Sequence, residues 1–433
     1  MTAAEVKIWG ELAGAVVWDD TNRLGTFEFA PGFKKQQWEL SPLKMPLGSS
    51  QMIFSFPELR KERFATYDTF RGLPGMLADV LPDRFGNQLI NRWLAGMGRP
   101  QDSMNPVEML LFLGSRGMGA LEFEPSSLKE NKNTFPIELE SLVQIAKIMM
   151  DKRSMFQTNI IKYEEKAVID ILKIGTSAGG ARPKALIAYN EKNGEIRSGQ
   201  TKAPEGFEHW LIKLDGVSDV QVGESKGYGR VEMAYYLMAI DCGIEMMPST
   251  LLEENNRAHF MTKRFDRIGR DTKHHIQTFC AMQHFDFNLV TSFSYEQLFQ
   301  TMRELRLSYE EIEQMYRRMV FNVLSRNCDD HTKNFSFMME KGQGWKLAPA
   351  YDICHAYRPD SAWVSQHALS INHKRTNITR EDLLLLAQAV NCKKAPTIIN
   401  EINAVVTNWK KYASITGVQK KLREAIAQTL IQL

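Results

Sequence analysis

No stretch of this 433-residue sequence reaches the ~18 consecutive apolar residues that a membrane-spanning helix needs. Its first residues, MTAAEVKIWG, lack a cationic segment followed by an apolar one, so no signal peptide is expected. The five cysteines, at 242, 280, 328, 354 and 392, show no CxxC spacing. That argues against a zinc ribbon and against a disulfide framework, and makes a reducing cytoplasm the expected compartment. A formal net charge of +3 is too small to imply a nucleic-acid partner by itself. No internal repeat or low-complexity tract stands out. What remains is a globular chain, 43% hydrophobic and 24% charged, long enough for two or three domains.

Residues 5–55 read as β-rich. VKIWGELAGAVVWDD alternates and then runs apolar, RLGTFEFAPGF carries a Pro-Gly turn, and SSQMIFSF is a further strand. Helical spacing follows in 73–98, with Leu89, Ile90, Trp93 and Leu94, and PVEMLLFLGSRGMGALEFEP gives a helix, a glycine-rich turn and a strand. The polar, aperiodic SSLKENKNTFP, 126–136, is the expected domain boundary. Beyond it a helical pattern spans about 137–172, then IGTSAGGARPKALIAYN places a glycine-rich turn between apolar segments. HWLIKLDG reads as a strand, GRVEMAYYLMAIDCGI as a helix, STLLEEN and AHFMTKRFDR as strands, and the rest as mostly helical. The clearest helix starts at Ser308, where Ser308 and Glu311 form a capping-box pattern. Ile312, Met315, Tyr316, Met319, Val320, Val323 and Leu324 then form a core-facing stripe.

That stripe ends at SRNCDDHTKNFSF, 325–337, where charged and hydrogen-bonding groups crowd between two apolar elements. Asp329 and Asn334 stand at Asp-x4-Asn spacing, which kinase-like catalytic loops use to face an attacking hydroxyl and a metal ion. Asp330 is one position off, so Asp329 is the expected base. A solvated turn at a helix end explains the same pair when it is taken alone. In WKLAPAYDICHAY, Asp352 follows a short strand and is the expected second Mg2+ ligand beside Asn334, although a capping or turn aspartate reads the same way.

GTSAGGARPK, 175–184, offers Gly179 and Gly180 for close approach to an anion, with Arg182 and Lys184 adding charge. It matches neither GxxxxGK[ST] nor GxGxxG, so a β-turn with a basic edge is equally open. Lys213 lies in an apolar strand and either snorkels to solvent or meets nucleotide phosphates, with Glu232 as its candidate partner. Each piece alone is weak. Their order is not: glycine loop, strand lysine, acidic helix, connecting strands, Asp-x4-Asn, then strand and aspartate, the order of a two-lobed protein-kinase-like fold. MTKRFDR, 261–267, falls where the hinge belongs, with backbone able to bond adenine.

These stretches resemble the HipA serine/threonine-kinase toxins of bacterial toxin–antitoxin modules. The matching residues are Ser177-Ala-Gly-Gly-Ala-Arg-Pro-Lys184, LIKL around Lys213, KRFDR at 263–267, DDHTKNFS at 329–336 and APAYD at 348–352. LPDRFGNQLI and GSRGMGALEFEP resemble that family's first domain. The resemblance implies an α+β, two-lobed kinase-like fold. A β-rich domain would occupy 1–128 and a kinase-like domain 137–433, with a nucleotide lobe at about 137–265 and a helical catalytic lobe at about 266–433.

It further implies Asp329 as the catalytic aspartate, with His331, Thr332 and Lys333 beside ATP, Mg2+ held by Asn334 and Asp352, and Tyr351 adjoining the nucleotide. Gly179, Gly180, Ala181, Arg182, Pro183 and Lys184 would line the phosphates, Lys213 would contact them, and Lys263, Arg264 and Phe265 would form the hinge. Ser177 matches a serine that is autophosphorylated in the family, an event that ejects the loop and that a dianion placed in a phosphate-shaped turn explains physically. Family members phosphorylate aminoacyl-tRNA synthetases and are held by a HipB-like helix-turn-helix antitoxin, which binds operator DNA. No membrane partner is implied.

Two departures from protein kinases at large argue against ordinary activation-loop regulation. Asn327 and Cys328 precede Asp329 in place of an arginine, and Ile-Cys follows Asp352 in place of Phe-Gly. Ala-Arg-Pro before Lys184 also differs from family members with Gln in that turn. A small-molecule or lipid phosphotransferase, and a catalytically silent DNA-bound corepressor, are the alternatives. Retention of Asp329, Asn334 and Asp352 argues against the second, because a binding module needs none of the three.

Overall fold

A computed structural model describes residues 1–60, 68–127, 134–150, 182–199, 202–217 and 227–433. Ser177, Gly179, Gly180 and Ala181 therefore lie outside the described residues, as does most of the boundary expected at 126–136. The chain divides into two compact units, the first comprising 1–39, 47–229 and 250–276, the second 40–46, 230–249 and 277–433.

The first unit contains two five-stranded sheets. Strands β1 (Thr2–Ile8), β2 (Glu11–Asp19), β3 (Leu24–Phe29), β4 (Ile53–Phe54) and β5 (Leu121–Glu124) form one, ordered β4-β3-β2-β1-β5 with antiparallel neighbours. Alternate residues Val6, Ile8, Val16, Phe27, Phe29 and Phe123 are buried, which is the period-two pattern of a half-buried sheet. Strands β6 (Lys184–Tyr189), β7 (Ile196–Ser198), β8 (Glu208–Lys213), β9 (Ser249–Glu254) and β10 (Arg257–Lys263) form the other, ordered β7-β6-β8-β10-β9.

A buried acidic knot joins these two halves of the first unit. Asp266, fully buried, accepts from Arg264 through both its oxygens (2.8 and 2.6 Å), from Arg267 Nη1 (2.6 Å) and from the Gly119 N–H (2.9 Å). Arg267 also donates to the carbonyls of Gly117 and Gly119. Gly119 takes φ +79, a left-handed conformation that glycine adopts without penalty. The glycine turn ahead of β5 and the segment after β10 thus share one charge network. Both segments belong to the first unit.

The second unit is mostly helical. Its core gathers the helices Tyr228–Asp241, Tyr295–Glu304, Tyr309–Ser325, Arg380–Val390 and Ala395–Thr407 around Tyr316, Met319, Phe321, Leu324 and Trp409. The capping box forms as the sequence predicts: Ser308 Oγ accepts from the Glu311 N–H, and Glu311 Oε2 accepts from the Ser308 N–H at 2.7 Å. Glu311 Oε1 also accepts from the Leu347 N–H at 2.7 Å, so the start of the long helix is tied to the strand Trp345–Leu347. At the other end Arg326 caps the helix in the left-handed region, φ +56, and turns the chain into residues 327–334. None of the five cysteines is in a disulfide. Among the described residues, no helix is long and apolar enough to cross a membrane.

Candidate functional site

The loop after the long helix is fixed by its neighbours at every second residue. Asn327 pairs with Ala356 in a parallel bridge, and the Cys328 N–H donates to the Ala356 carbonyl at 3.1 Å. Cys328, Asp330 and Thr332 are buried, whereas Asp329 and His331 between them are not. An extended backbone sends successive side chains to opposite faces, so three buried anchors present Asp329 outward, its side chain 49% exposed. Thr332 Oγ1 donates to the Phe285 carbonyl at 2.8 Å and anchors the far side.

His331 opens a single turn of 3-10 helix, Thr332–Asn334, and its Nδ1 accepts from the Lys333 N–H. An accepting Nδ1 in a neutral imidazole leaves the proton on Nε2, which lies 3.8 Å from Asp329 Oδ1. Asn334 Nδ2 donates to the Asp329 carbonyl at 2.6 Å, which closes the loop. Lys333 Nζ sits 5.0 Å over the Phe287 ring, and His331 packs on the same ring. Phe287 carries no motif, and nothing in the sequence marks it.

The second acidic turn is brought to this loop by a hairpin. Ser336–Met339 pairs antiparallel with Trp345–Leu347, with Phe337 opposite Leu347, and the Ala348 N–H continues the ladder to the Ser336 carbonyl. Three residues on, the Tyr351 hydroxyl is 2.7 Å from the Lys333 carbonyl and 2.5 Å from Ser336 Oγ. Asp352 follows at φ +53, a left-handed position that aspartate tolerates better than most residues. Among the described residues, no three His, Cys, Asp or Glu side chains gather as a metal cluster. The donors present, one amide oxygen and one carboxylate, suit a hard ion that keeps water and phosphate in its coordination shell. Behind Tyr351, Arg318 is buried and donates to the Ala348 carbonyl at 2.8 Å; burial lowers its pKa to about 10.

Asp330 points the other way, into the core. Its Oδ2 accepts from Tyr295 Oη (2.8 Å) and His367 Nδ1 (2.9 Å), and its Oδ1 from the Ala368 N–H (2.7 Å). Burial by itself would lower the His367 pKa, but the Asp330 carboxylate outweighs it and raises the value to about 10. His367 is therefore an imidazolium at neutral pH. Burial, followed by the charge of Asp330, raises the Tyr295 pKa well above its ordinary range.

In the first unit, Lys213 ends β8 directly opposite Lys184 on one side and Phe260 on the other. Cross-strand partners share a face, so both lysines project from one side of the sheet, with Lys213 Nζ 5.7 Å from the centre of the Phe260 ring. Arg182, just ahead of β6, lies over the Tyr228 ring, and Pro183 accepts from the Leu214 N–H through its carbonyl. Of the expected hinge, Lys263 pairs with Glu208 and Glu191 and sits over Trp210, the Arg264 N–H donates to the His209 carbonyl, and Phe265 is half-buried. Glu232, the expected partner of Lys213, is buried on Tyr228–Asp241 within the second unit.

Two family models match the sequence: one described as the HipA-like C-terminal domain over residues 176–409, the other as the HipA N-terminal domain over 4–124. Among solved structures, HipA from the Shewanella oneidensis MR-1 toxin–antitoxin complex with HipB and operator DNA superimposes with a TM-score of 0.65. It is 16% identical, and the match covers 98% of this chain and 94% of that one. The Helicobacter pylori proinflammatory kinase CtkA matches 58% of this chain and 92% of its own at 14% identity, with a TM-score of only 0.34. The fold is therefore α+β and HipA-like.

Proposed function

We propose that this chain, which belongs to the HipA family, is an ATP- and Mg2+-dependent serine/threonine protein kinase, the toxin of a bacterial toxin–antitoxin module. The observation that supports this most strongly is the outward presentation of Asp329 between the buried Cys328 and Asp330, with Asn334 and the Tyr351–Asp352 turn bonded to the same loop. In the reaction, a serine or threonine hydroxyl attacks the γ-phosphorus of ATP and its proton passes to the Asp329 carboxylate. The bond from that phosphorus to the β–γ bridging oxygen breaks, and ADP leaves. Lys213 and Lys184, opposite each other on one face of the sheet, would bind the phosphates. Arg182 and Pro183, with Gly179 to Ala181, would line the same phosphates, while Lys263, Arg264 and Phe265 would border the adenine. Asn334 and Asp352 would hold Mg2+, which neutralises charge on the phosphate oxygens when bound.

The partners we propose are a HipB-like antitoxin, with DNA reached through that complex, and a protein substrate of translation such as an aminoacyl-tRNA synthetase. The Shewanella relative, found with HipB and operator DNA, supports the first of these. With none of its cysteines in a disulfide, the chain suits a reducing cytoplasm. Mass spectrometry of the purified protein after incubation with ATP and Mg2+ tests the reading. Stoichiometric phosphate on Ser177 supports it, whereas ATP turnover without any protein phosphate points to a small-molecule phosphotransferase.

A further inference from the structure

We propose that Asp330 and His367 form a buried clamp that positions Asp329, so that both are positioning residues for phosphoryl transfer; the role rests on the kinase reading above. Two adjacent aspartates in this loop have opposite surroundings. Asp329 stands half in solvent, while Asp330 is 1% exposed and has three donors on its two oxygens. A carboxylate so engaged cannot take a proton from an incoming hydroxyl without breaking the network that holds it. Its orientation does, however, fix that of its neighbour, because residues 329 and 330 share one peptide plane and face opposite ways.

The clamp is itself anchored. Arg375 donates to the carbonyls of His367, Ala368, Val290 and Phe293, so the strand end that carries the imidazolium is pinned to the segment before Tyr295. Tyr295 Oη in turn accepts from Asn322 Nδ2 (3.1 Å), and Asn322 Oδ1 accepts from Asn327 Nδ2 (3.0 Å). The network thus leaves the loop at Asp330 and returns to it at Asn327. The two residues flanking Cys328–Asp329 are held by one connected set of buried hydrogen bonds. Such a set transmits small displacements to the side chain between its ends, where a shift of roughly 1 Å can cost about 100-fold in rate.

Three variants of the full chain test this. Asp330→Asn keeps an acceptor for the Ala368 N–H but turns an amide toward His367 and Tyr295. Tyr295→Phe removes one donor to Asp330 and the acceptor for Asn322 Nδ2, and His367→Asn keeps a donor close to the position of Nδ1. For Asp330→Asn, kcat for ATP turnover falls by about 100-fold while KM for ATP stays within about twofold, the signature of a lost transition-state geometry. Tyr295→Phe loses several-fold, and His367→Asn retains more activity than Asp330→Asn. Hydrogen exchange of the 329–334 amides, measured without nucleotide, accelerates in Asp330→Asn. If Asp330→Asn lowers only the melting temperature, with kcat per folded molecule and loop exchange unchanged, the clamp serves stability alone and the proposal is overturned. Failure of the kinase reading looks different: the wild-type protein would turn over no ATP, and the loop-exchange comparison would still decide whether Asp330 holds residues 329–334.

Discussion

The Tyr351 hydroxyl lies 2.7 Å from the Lys333 carbonyl and 2.5 Å from Ser336 Oγ, and these contacts tie the Asp352 turn to the Asp329–Asn334 loop. Two acidic turns on separate strands of a hairpin thereby share one scaffold. Tyr351→Phe removes the bonds and keeps the ring. A neutral hydrogen bond contributes about 0.5–1.5 kcal/mol, so Mg2+-dependent ATP affinity should weaken roughly 3- to 10-fold, with metal-free nucleotide binding little changed. Titration calorimetry with and without Mg2+ measures this; equal weakening in both arms would place the hydroxyl outside the metal's influence.

His367 imposes an alkaline limit on stability. Its folded pKa of about 10 stands above the ordinary 6.5, so its stabilising contribution is complete below about pH 6.5 and is lost as pH rises toward 10. Urea midpoints measured across that window should fall with pH in the wild type and fall less steeply in His367→Asn. Parallel curves would show that the imidazolium pairs no more strongly in the folded than in the unfolded chain.

Asp266 acts on the acid side, in the first unit. Burial raises its pKa, but the Arg264 and Arg267 guanidiniums and the Gly119 N–H prevail and hold it well below the ordinary carboxylate range. Its contribution is present above pH 3.8 and disappears as pH falls through the depressed folded value. Asp266→Asn leaves two buried guanidiniums without their counter-charge. It should cost about 3–5 kcal/mol at neutral pH, visible in denaturant unfolding followed by a first-unit tryptophan such as Trp210. A loss below about 1 kcal/mol would mean that Arg264 and Arg267 find solvent or other partners.

Leu324, fully buried near the end of the long helix, tests how far the core carries the loop. Leu324→Ala should destabilise the second unit by about 2–5 kcal/mol, with kcat of the folded fraction nearly unchanged well below the transition. A large loss of kcat at full folding would show that the helix end itself sets the position of Asp329.

Much of this arrangement was legible because it is local. Ser308 and Glu311 declared the helix start at a separation of three, the apolar stripe declared its buried face, and Asp329 and Asn334 sat at a readable spacing. The strand before Asp352 was legible too, although it spans only Trp345–Leu347 with one further bond from the Ala348 N–H, because Pro349 has no N–H to donate and the chain turns left-handed at Asp352. What stayed hidden depends on distant segments. Asp330 takes its donors from Tyr295 and His367, each more than 30 residues away along the chain, and no periodicity links them. Phe287 beneath Lys333 and the Asp266 knot around Gly119 were invisible for the same reason. Cross-strand register, which set Lys184 against Lys213, follows from sheet pairing that spacing alone does not specify.

The decisive measurement is steady-state ATP turnover by Asp329→Asn beside the wild type, with Mg2+·ATP affinity determined on the same samples. If Asp329 takes the proton of the acceptor hydroxyl, kcat falls by about 100- to 10,000-fold while nucleotide still binds. Turnover at the wild-type rate with intact binding would contradict that role and, with it, the assignment of this loop as a phosphoryl-transfer site.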